Sequence, residues 1–277
     1  MCGIIGSFPE RDISAGLVAI RNRGRDAQNV VSVDGGVFGH VLHAVTGYTE
    51  QPVGEDALLL FNGQIYNYRE IASREGIQAD SDTQVLLHLL KKYSIAEVRN
   101  RLDGVYAYAC LKDGVLTLER DVLGVKPLWY STDDGLAFAS EKKALLAMGL
   151  SARELHPRTT LSFNISSGEL SASTRPLVFA HSQDNLLVAL REAVKKRIPA
   201  SGKVGVLFSG GIDSSLVALL AKQAGADVTL YVAALDDPDK AVPHDLAAAR
   251  EAAQLLELPL VELRATLDEV KDSLSTV

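Results

Sequence analysis

Short apolar runs separated by turn residues make up the first part of the chain, up to about residue 175. Residues 2–8 and 57–61 are largely apolar and predict buried strands. Paired runs flank turns that contain glycine, as at Asp34-Gly35, and predict antiparallel hairpins. The string Ser81-Asp82-Thr83-Gln84 has the form of a capping box and predicts a helix that ends at Tyr93. This pattern is typical of antiparallel sheets covered by helices, an α+β fold. The remaining predicted elements are a helix at 13–20 and hairpins that join 29–33 with 36–40, 104–111 with 115–120, 129–131 with 137–139, and 160–164 with 170–173.

The pattern changes near residues 176–183, after which strands and helices alternate. Such alternation indicates a parallel α/β sheet. We therefore predict two domains, residues 2–180 and residues 181–277. The predicted elements of the second domain are helices at 185–197, 214–224 and 246–256 and strands at 204–208, 228–234 and 260–263.

Composition narrows the possible classes of function. The chain has 277 residues, which suits two domains, and a formal net charge of −7, which argues against a broad nucleic-acid surface. It shows neither an apolar run of membrane-spanning length nor an export signal, so we expect no membrane partner. The two cysteines, Cys2 and Cys110, do not form a disulfide framework, and we expect a cytoplasmic protein.

Cys2 is the most informative residue of the chain. After removal of Met1 it would carry a thiol and a free α-amino group, whose pKa of about 8 leaves a useful fraction as unprotonated base. A nucleophile and its base would then lie on one residue, as in enzymes whose N-terminal residue attacks an amide. The alternative is a small, buried hydrophobic residue.

A second signal is the loop Ser209-Gly210-Gly211-Ile212-Asp213-Ser214-Ser215, between a predicted strand and a predicted helix. Adjacent glycines and hydroxyl groups before a helix N-terminus form a cradle for phosphates, and Asp213 would hold a magnesium ion that bridges them. No Gly-Lys-Ser/Thr triplet follows, so this is not the common NTPase loop. The alternative is a tight strand–helix turn. The loop resembles that of the ATP pyrophosphatases.

Asn62-Gly63 follows the buried run 57–61 and permits two interpretations. The Asn62 amide and the Gly63 N–H could together stabilise an oxyanion. Alternatively, Asn-Gly could form a type I′ hairpin turn. The charged runs 120–130 and 138–145 show no catalytic spacing, and we expect internal ion pairs and helix caps there.

Taken in order, several strings resemble glutamine-dependent asparagine synthetases. They are Met1-Cys2-Gly3-Ile4, Arg21-Asn22-Arg23-Gly24-Arg25-Asp26, the runs 62–67, 120–130 and 138–145, Ser81-Asp82, and 209–215. The resemblance implies an αββα glutaminase domain of the N-terminal-nucleophile type, followed by an incomplete α/β domain of the ATP-pyrophosphatase type. It implies that glutamine is hydrolysed at the first site and that ammonia reaches an acyl adenylate at the second.

The same resemblance implies site residues, ligands and a reaction. The cofactors would be ATP and Mg²⁺, and the reaction would convert glutamine, ATP and aspartate or a similar acid into glutamate, AMP, diphosphate and an amide. Asp245 aligns with an acidic residue that opens the next helix. The implied residues are Cys2, Asn62 and Gly63 for catalysis, Asn62, Gly63, Gln64 and Asp82 for glutamine, Leu207, Ser209, Gly210, Gly211, Asp213, Ser214, Ser215 and Ala233 for ATP, and Asp213 for the metal.

The chain departs from the family pattern in three places. Leu42 stands where the family has the arginine that binds the glutamine carboxylate, and Arg25 or His43 is a candidate replacement. Gln64 stands where the family usually has glutamate. The chain also ends at Val277, early in the synthetase domain, so we expect a homodimer or a partner chain that completes the sheet. Two alternatives therefore stay open: a glutaminase or ATP-binding protein without synthesis, and a non-catalytic regulatory protein.

Overall fold

The computed structural model describes residues 1–45, 47–176, 185–235 and 244–274. The chain divides into two compact units, Met1–Ala180 and His181–Val277. Each unit is described by itself below.

The first unit consists of antiparallel strands and short helices. Its strands are β1 (Gly3–Phe8), β2 (Ala27–Val33), β3 (Gly36–Leu42), β4 (Ala57–Ile65), β5 (Gly104–Lys112), β6 (Val115–Arg120), β7 (Trp129–Ser131), β8 (Leu136–Ala139), β9 (Arg153–Glu154), β10 (Thr159–Asn164) and β11 (Leu170–Thr174). Its helices are α1 (Ser14–Ile20), α2 (Tyr68–Glu75), α3 (Asp82–Lys92), α4 (Ile95–Arg101) and α5 (Lys142–Ala147), and a 3₁₀ turn covers Arg21–Arg23.

These strands form two sheets within the described part of the unit. One sheet has the order β2-β3-β1-β8-β7-β9 and the other the order β11-β10-β6-β5-β4. The predicted hairpin at Asp34-Gly35 is confirmed, since Val33 pairs with Gly36. The predicted hairpin between residues 104–111 and 115–120 is also confirmed, since Lys112 pairs with Val115. β1 lies inside the first sheet, whereas β4 lies at an edge of the second.

Successive side chains of a strand point to opposite faces of its sheet, so each strand of this unit contributes to the apolar clusters on both sides. Ile4 belongs to the apolar cluster between the two sheets, whereas its neighbour Ile5 packs with Leu17 and Leu145 from α1 and α5. On the second sheet, Leu60 faces the same inter-sheet cluster. Its neighbour Leu59 joins the cluster that includes residues of α2, α3 and α4. The order is therefore helices, sheet, sheet, helices, which confirms the predicted αββα arrangement.

The structure differs from the sequence prediction at Asn62-Gly63. β4 does not stop at Phe61 but continues through Asn62 and Gly63 to Ile65, with Asn62 opposite Ala107 of β5. The hairpin alternative for Asn62-Gly63 is therefore wrong. The amphipathic pattern also missed α2, α4 and α5, because helices of six to eight residues contain too few turns to show a clear period.

The second unit is an α/β arrangement around a short parallel sheet. It contains α6 (Leu186–Lys195), β12 (Lys203–Leu207), α7 (Ile212–Gln223), β13 (Asp227–Leu235), α8 (His244–Leu256), β14 (Leu260–Ala265) and α9 (Leu267–Ser273). Its sheet has the order β12-β13-β14, and both neighbours of β13 run parallel to it. Parallel alternation is confirmed, whereas α9 was missed and α7 begins two residues earlier than predicted.

The core of the second unit is small. Val206, Leu230 and Ala218 belong to one buried cluster between the strands and helices α7 and α8. β12 and β14 each pair on one side only within the described residues. Across the whole described part of the chain, no helix combines the length and the apolarity that a membrane crossing requires.

Candidate active site and nucleotide loop

A cavity of about 230 Å³ opens at the carboxyl end of β3 in the first unit. Cys2, Asn62, Gly63, Gln64 and Asp82, which the sequence assigns to one site, all line it. Five separate segments of the chain supply the lining, so the tertiary fold assembles the cavity. Its volume is below the ~300–1,000 Å³ of pockets for drug-sized ligands and suits a smaller molecule.

Cys2 immediately precedes β1 in the chain, and a side chain of the 3₁₀ turn holds its backbone. Its carbonyl oxygen accepts a hydrogen bond from Arg23 Nε at 2.9 Å, and Arg23 Nη1 lies 2.5 Å from Glu141 Oε1. Gly3 follows, and a side chain there would meet Val41 Cγ2 at 2.8 Å. The close pairing of β1 with β3 therefore requires a small residue after the cysteine and brings its sulfur to the end of β3.

The Cys2 thiol lies in an environment that disfavours its ionisation. Its Sγ accepts a hydrogen bond from the His43 N–H at 3.3 Å. Burial nevertheless raises the pKa of the Cys2 thiol, and the His43 N–H only partly opposes this effect. A thiol of raised pKa needs a base before it can attack.

The α-amino group beside Cys2 has the opposite shift. Met1 lines the same cavity, and burial lowers the pKa of its amino group, with the charges of Arg23 and Lys126 acting in the same direction. A lowered pKa leaves more of an amine as free base at neutral pH. More of the amine at this end of the chain is therefore in its unprotonated form at neutral pH.

Asn62 is a buried amide without a partner. It is 1% exposed, and neither its side-chain nitrogen nor its side-chain oxygen makes a hydrogen bond among the described residues. Buried polar atoms are normally hydrogen-bonded, and leaving one unpaired costs roughly 1–3 kcal/mol. An unpaired amide that lines a cavity beside a nucleophile is available to a ligand.

Gly63 presents a backbone N–H at the free edge of β4. The N–H of Phe61 donates to Gln51 Oε1 at 2.6 Å, and the N–H of Ile65 donates to Asp82 Oδ2 at 3.0 Å. Both groups therefore point away from β5. Because alternate N–H groups of a strand point to the same side, the N–H of Gly63 points there as well.

Only glycine fits at position 63. A Cβ there would meet the carbonyl oxygen of Val105 at 2.6 Å and the ring of Phe61 at 2.8 Å. The edge of β4 therefore brings together the Gly63 N–H and the Asn62 amide, which has no partner among the described residues, and these are the two groups that the sequence assigned to an oxyanion.

Asp82 is the first residue of α3 and is 3% exposed. Burial raises its pKa to about 6, although the N–H groups of Ile65 and Thr83 favour the ionised form. At neutral pH it is a desolvated carboxylate in the cavity, well suited to a ligand ammonium group. Helix capping falls instead to Ser81, whose Oγ accepts from the Gln84 N–H at 3.4 Å.

The residues near the missing family arginine differ in whether they reach the cavity. Leu42 is buried and lines the cavity, as does His43, whose Nδ1 lies 3.6 Å from Asp26 Oδ2. Arg25 is exposed and does not line the cavity. Of the two candidate replacements for the missing arginine, only His43 is brought to the site.

Sequence analysis missed several residues of the cavity. Thr49 lines it and contacts Ser81 Oγ through its own Oγ1 at 2.8 Å. Gln51 and Lys126 also line it. Lys126 belongs to the charged run 120–130, where we expected internal ion pairs. Arg120 and Asp121 do form internal bonds, but those bonds hold the loop that carries Lys126 into the site.

In the second unit, the predicted phosphate loop joins β12 to α7. Ser209 Oγ accepts from the Gly211 N–H at 3.3 Å and lies 3.4 Å from Ser214 Oγ. Gly210 has φ +76°, and a Cβ there would meet backbone atoms of Ala248 at 2.5 Å. Gly211 provides no side-chain cap for α7. The first N–H groups of this twelve-residue helix are thus available to an anion.

The other predicted nucleotide residues lie at the carboxyl edge of the same sheet. Leu207 ends β12 and is 86% exposed. Ala233 lies on β13 and lines an apolar cavity of about 260 Å³ with Leu235 and Leu263. Ligands of open α/β sheets bind at this edge.

Two acidic residues lie at the same edge of the sheet. Asp213 and Asp245 are exposed in the first turns of α7 and α8. Within the described residues, no group of three metal-ligating side chains occurs. A single carboxylate still fits Mg²⁺, which takes most of its other ligands from water and phosphates.

The fold and this cavity define the class of protein. A solved glutamine PRPP amidotransferase from B. subtilis superposes with a TM-score of 0.56 at 19% identity, covering 94% of this chain and 65% of its own. An allosteric regulatory enzyme of purine biosynthesis superposes with a TM-score of 0.57 at 18% identity, covering 98% of this chain and 70% of its own. The first unit thus has the fold of the N-terminal-nucleophile amidotransferases.

Sequence comparison gives the family. The model of the glutamine amidotransferase domain matches residues 1–189, and that of asparagine synthase matches residues 185–277. The chain belongs to the glutamine amidotransferase family, whose model matches more than half of its residues. A Methanocaldococcus jannaschii relative named asparagine synthetase [glutamine-hydrolyzing] 1 is 32% identical over 78% of this chain and 45% of its own length. The Homo sapiens asparagine synthetase is 30% identical over 91% of this chain and 54% of its own. The chain thus spans about half the length of these relatives.

Proposed function

We propose that this chain hydrolyses glutamine at the cavity of its first unit and binds ATP at the loop of its second, as part of an amide-forming ligase of the asparagine synthetase type. The observation that carries the proposal is the convergence of Cys2, Asn62, Gly63 and Asp82 on one cavity. These residues supply a nucleophile, two oxyanion donors and an anion for the substrate ammonium group. Family membership supports the same assignment.

The chemistry follows from these groups. With Met1 removed, the α-amino group of Cys2 takes the thiol proton while Sγ bonds to the side-chain carbonyl carbon of glutamine. The carbonyl oxygen becomes an oxyanion between the Asn62 amide and the Gly63 N–H. The carbon–nitrogen bond then breaks as the amine returns its proton to the leaving ammonia. Water hydrolyses the remaining thioester and releases glutamate.

At the second unit, residues 209–215 would hold the phosphates of ATP, and Leu207 and Ala233 would frame the adenine. Asp213 would hold Mg²⁺, which neutralises phosphate charge. The acceptor would be aspartate or a similar acid, and the products would be glutamate, AMP, diphosphate and the amide. The exposed Ser209 and Ser214 hydroxyls of the loop and the uncapped start of α7 support this assignment.

We also propose a partner and a location. A second copy or another chain would cover the edges of β12 and β14 that pair with no strand among the described residues, because free edges promote association. Sedimentation that gives a monomer across micromolar concentrations would contradict this. A cytoplasmic location suits a nucleophile that must stay a free thiol, and both cysteines are free.

The function is tested by measuring three products separately. Purified protein is incubated with glutamine, then with ATP, Mg²⁺ and aspartate, and glutamate, diphosphate and asparagine are assayed. We expect glutamate, and expect alkylation of Cys2 or Cys2→Ser to abolish it. Glutamate release that survives complete labelling of Cys2 would rule out the proposed nucleophile. An intact mass that retains Met1 would rule out its α-amino base.

Glutamate without diphosphate or asparagine would reduce the function to that of a glutaminase. Bound ATP with no product at all would instead support the regulatory alternative. Supplying ammonia in place of glutamine tests the second unit on its own.

A further inference from the structure

The proposed chemistry leaves one charged residue of the first cavity unused. Lys126 lines this cavity together with Cys2 and Asp82. We propose that the Lys126 ammonium binds the α-carboxylate of the amide donor, so that a zwitterionic amino acid is held between Asp82 and Lys126. This inference rests on the proposed hydrolysis of glutamine and names the residue that recognises the donor's carboxylate.

Charge complementarity supports the assignment. Free glutamine brings one ammonium and one carboxylate, and each needs an opposite charge once it is desolvated. Asp82 is the buried anion of the cavity. His43 also lines the cavity but lies near Asp26 and is about half exposed. Among the described lining residues, Lys126 thus supplies the positively charged side chain that can pair with the carboxylate.

The backbone around Lys126 is fixed by buried charges. Its N–H donates to Asp121 Oδ2 at 3.1 Å, and its carbonyl oxygen accepts from Arg120 Nε at 2.7 Å. Asp121 is 3% exposed and Arg120 is 2% exposed. Asp121 Oδ1 also accepts from the Val125 N–H at 3.0 Å. This network places the lysine reproducibly, as a substrate-binding residue requires.

The ammonium group itself is uncommitted. Among the described residues, no hydrogen bond or ion pair engages the Lys126 side chain, whereas Arg23 bonds Cys2 and Glu141. Burial lowers the pKa of Lys126. A desolvated ammonium without a partner gains from a bound carboxylate.

A different role for Lys126 would be to assist Cys2 directly, since its charge lowers the pKa of the thiol. The two roles differ in what they change. A carboxylate-binding residue affects donor affinity and discriminates donors with a carboxylate from those without. A residue that assists the thiol affects kcat and has no effect on binding once the thiol is gone.

The test measures binding in Cys2→Ala protein, where Lys126 cannot act through the thiol. Calorimetry compares glutamine with 4-aminobutanamide, which is glutamine without its carboxylate, in Cys2→Ala and in Cys2→Ala with Lys126→Met. We expect Lys126→Met to weaken glutamine binding about 10- to 100-fold and to leave 4-aminobutanamide unchanged. Lys126→Arg is expected to restore part of the loss.

Two matched variants are controls. Lys91→Met removes an exposed lysine of α3 and is expected to change neither affinity. His43→Ala tests the other candidate, and a loss of glutamine binding there but not in Lys126→Met would overturn the proposal. Equal losses for both ligands in Lys126→Met would also overturn it.

The outcome separates this inference from the proposed function. Glutamine binding that Lys126→Met leaves unchanged would overturn the role of Lys126 alone. No glutamine binding to Cys2→Ala protein, together with no glutamate from the unaltered protein, would overturn both.

Discussion

At the scale of residues, two buried amides line the same cavity and have opposite roles. Gln51 is 2% exposed and its Oε1 accepts from the Phe61 N–H at 2.6 Å. Asn62 is 1% exposed and makes no side-chain hydrogen bond among the described residues. One amide is committed to the fold, and the other is available to a substrate.

We predict that Asn62→Leu and Gln51→Leu separate activity from stability. Asn62→Leu should lower kcat for glutamine hydrolysis about 10²- to 10³-fold by removing an oxyanion donor, with no loss of thermal stability. Gln51→Leu leaves a buried N–H unpaired and should cost about 1–3 kcal/mol of unfolding free energy. Steady-state kinetics and thermal melts test both. A melting temperature that falls as far in Asn62→Leu as in Gln51→Leu would contradict the assignment.

The pKa of Asp82 predicts how the unfolding free energy depends on pH. Its folded pKa of about 6 lies above the usual ~3.9, so the folded state pays a cost for ionising it. The cost is absent below about pH 4, grows as the pH rises to about 6, and is then constant at about 3 kcal/mol. Asp82→Asn should therefore raise the unfolding free energy at pH 7.5 but not at pH 4.

Protonation of Asp82 at low pH should weaken glutamine binding, although it removes the cost to the unfolding free energy. Loss of its charge removes the partner of the donor ammonium, so KM for glutamine should rise as the pH falls through about 6 and should be high at every pH in Asp82→Asn. His40 also titrates, because burial lowers its pKa to about 4. Comparing the KM of Asp82→Asn with that of the unaltered protein at each pH separates the effect of Asp82 from that of His40. A KM that does not depend on pH would contradict the role.

At the scale of elements, the loop between β12 and α7 depends on one glycine. Gly210 has φ +76° and lies close to the backbone of α8 at Ala248. A side chain at this position would strain the loop and displace α8. Ser209, Gly211 and Ser214 form their hydrogen bonds around this conformation.

We predict that Gly210→Ala destabilises the second unit and weakens ATP binding. The matched control is Gly225→Ala, which has φ +85° but nothing within 4 Å of its Cβ. Both changes carry the strain of a left-handed alanine, about 1–2 kcal/mol, and only Gly210→Ala adds the clash. Thermal melts and nucleotide titration test this. Equal effects of the two variants would show that the contact with α8 is unimportant.

At the scale of the whole molecule, the two units differ in the number of buried apolar clusters that they contain. The first contains three buried clusters between its layers, whereas the second has one cluster among its described residues. Leu207, Ile212 and Leu186 of the second unit are 86%, 84% and 74% exposed. Exposed apolar area contributes no burial free energy.

We predict two calorimetric transitions, with the second unit unfolding at the lower temperature. A ligand that binds one folded unit raises the transition of that unit alone. ATP with Mg²⁺ should therefore shift the lower transition, and glutamine with the Cys2→Ala protein should shift the upper one. A single transition shifted by both ligands would contradict independent units.

The sequence by itself determined the class of most elements, though not of α2, α4, α5 and α9, and the chemistry available. Apolar runs, glycine turns and the alternation after residue 185 indicate the sheets, because these signals are local. Cys2, Asp82 and the loop 209–215 were found in the same way. The resemblance to the family then assigned their roles.

Only the tertiary structure decided how these groups meet and what environment they have. The pairing of β4 with β5 makes Asn62-Gly63 part of an edge strand rather than a turn. Burial raises the pKa of Asp82, although the Ile65 N–H favours the ionised form. Lys126 enters the cavity because Arg120 and Asp121 hold its loop. These properties depend on contacts between distant segments and on desolvation, which no local pattern of residues records.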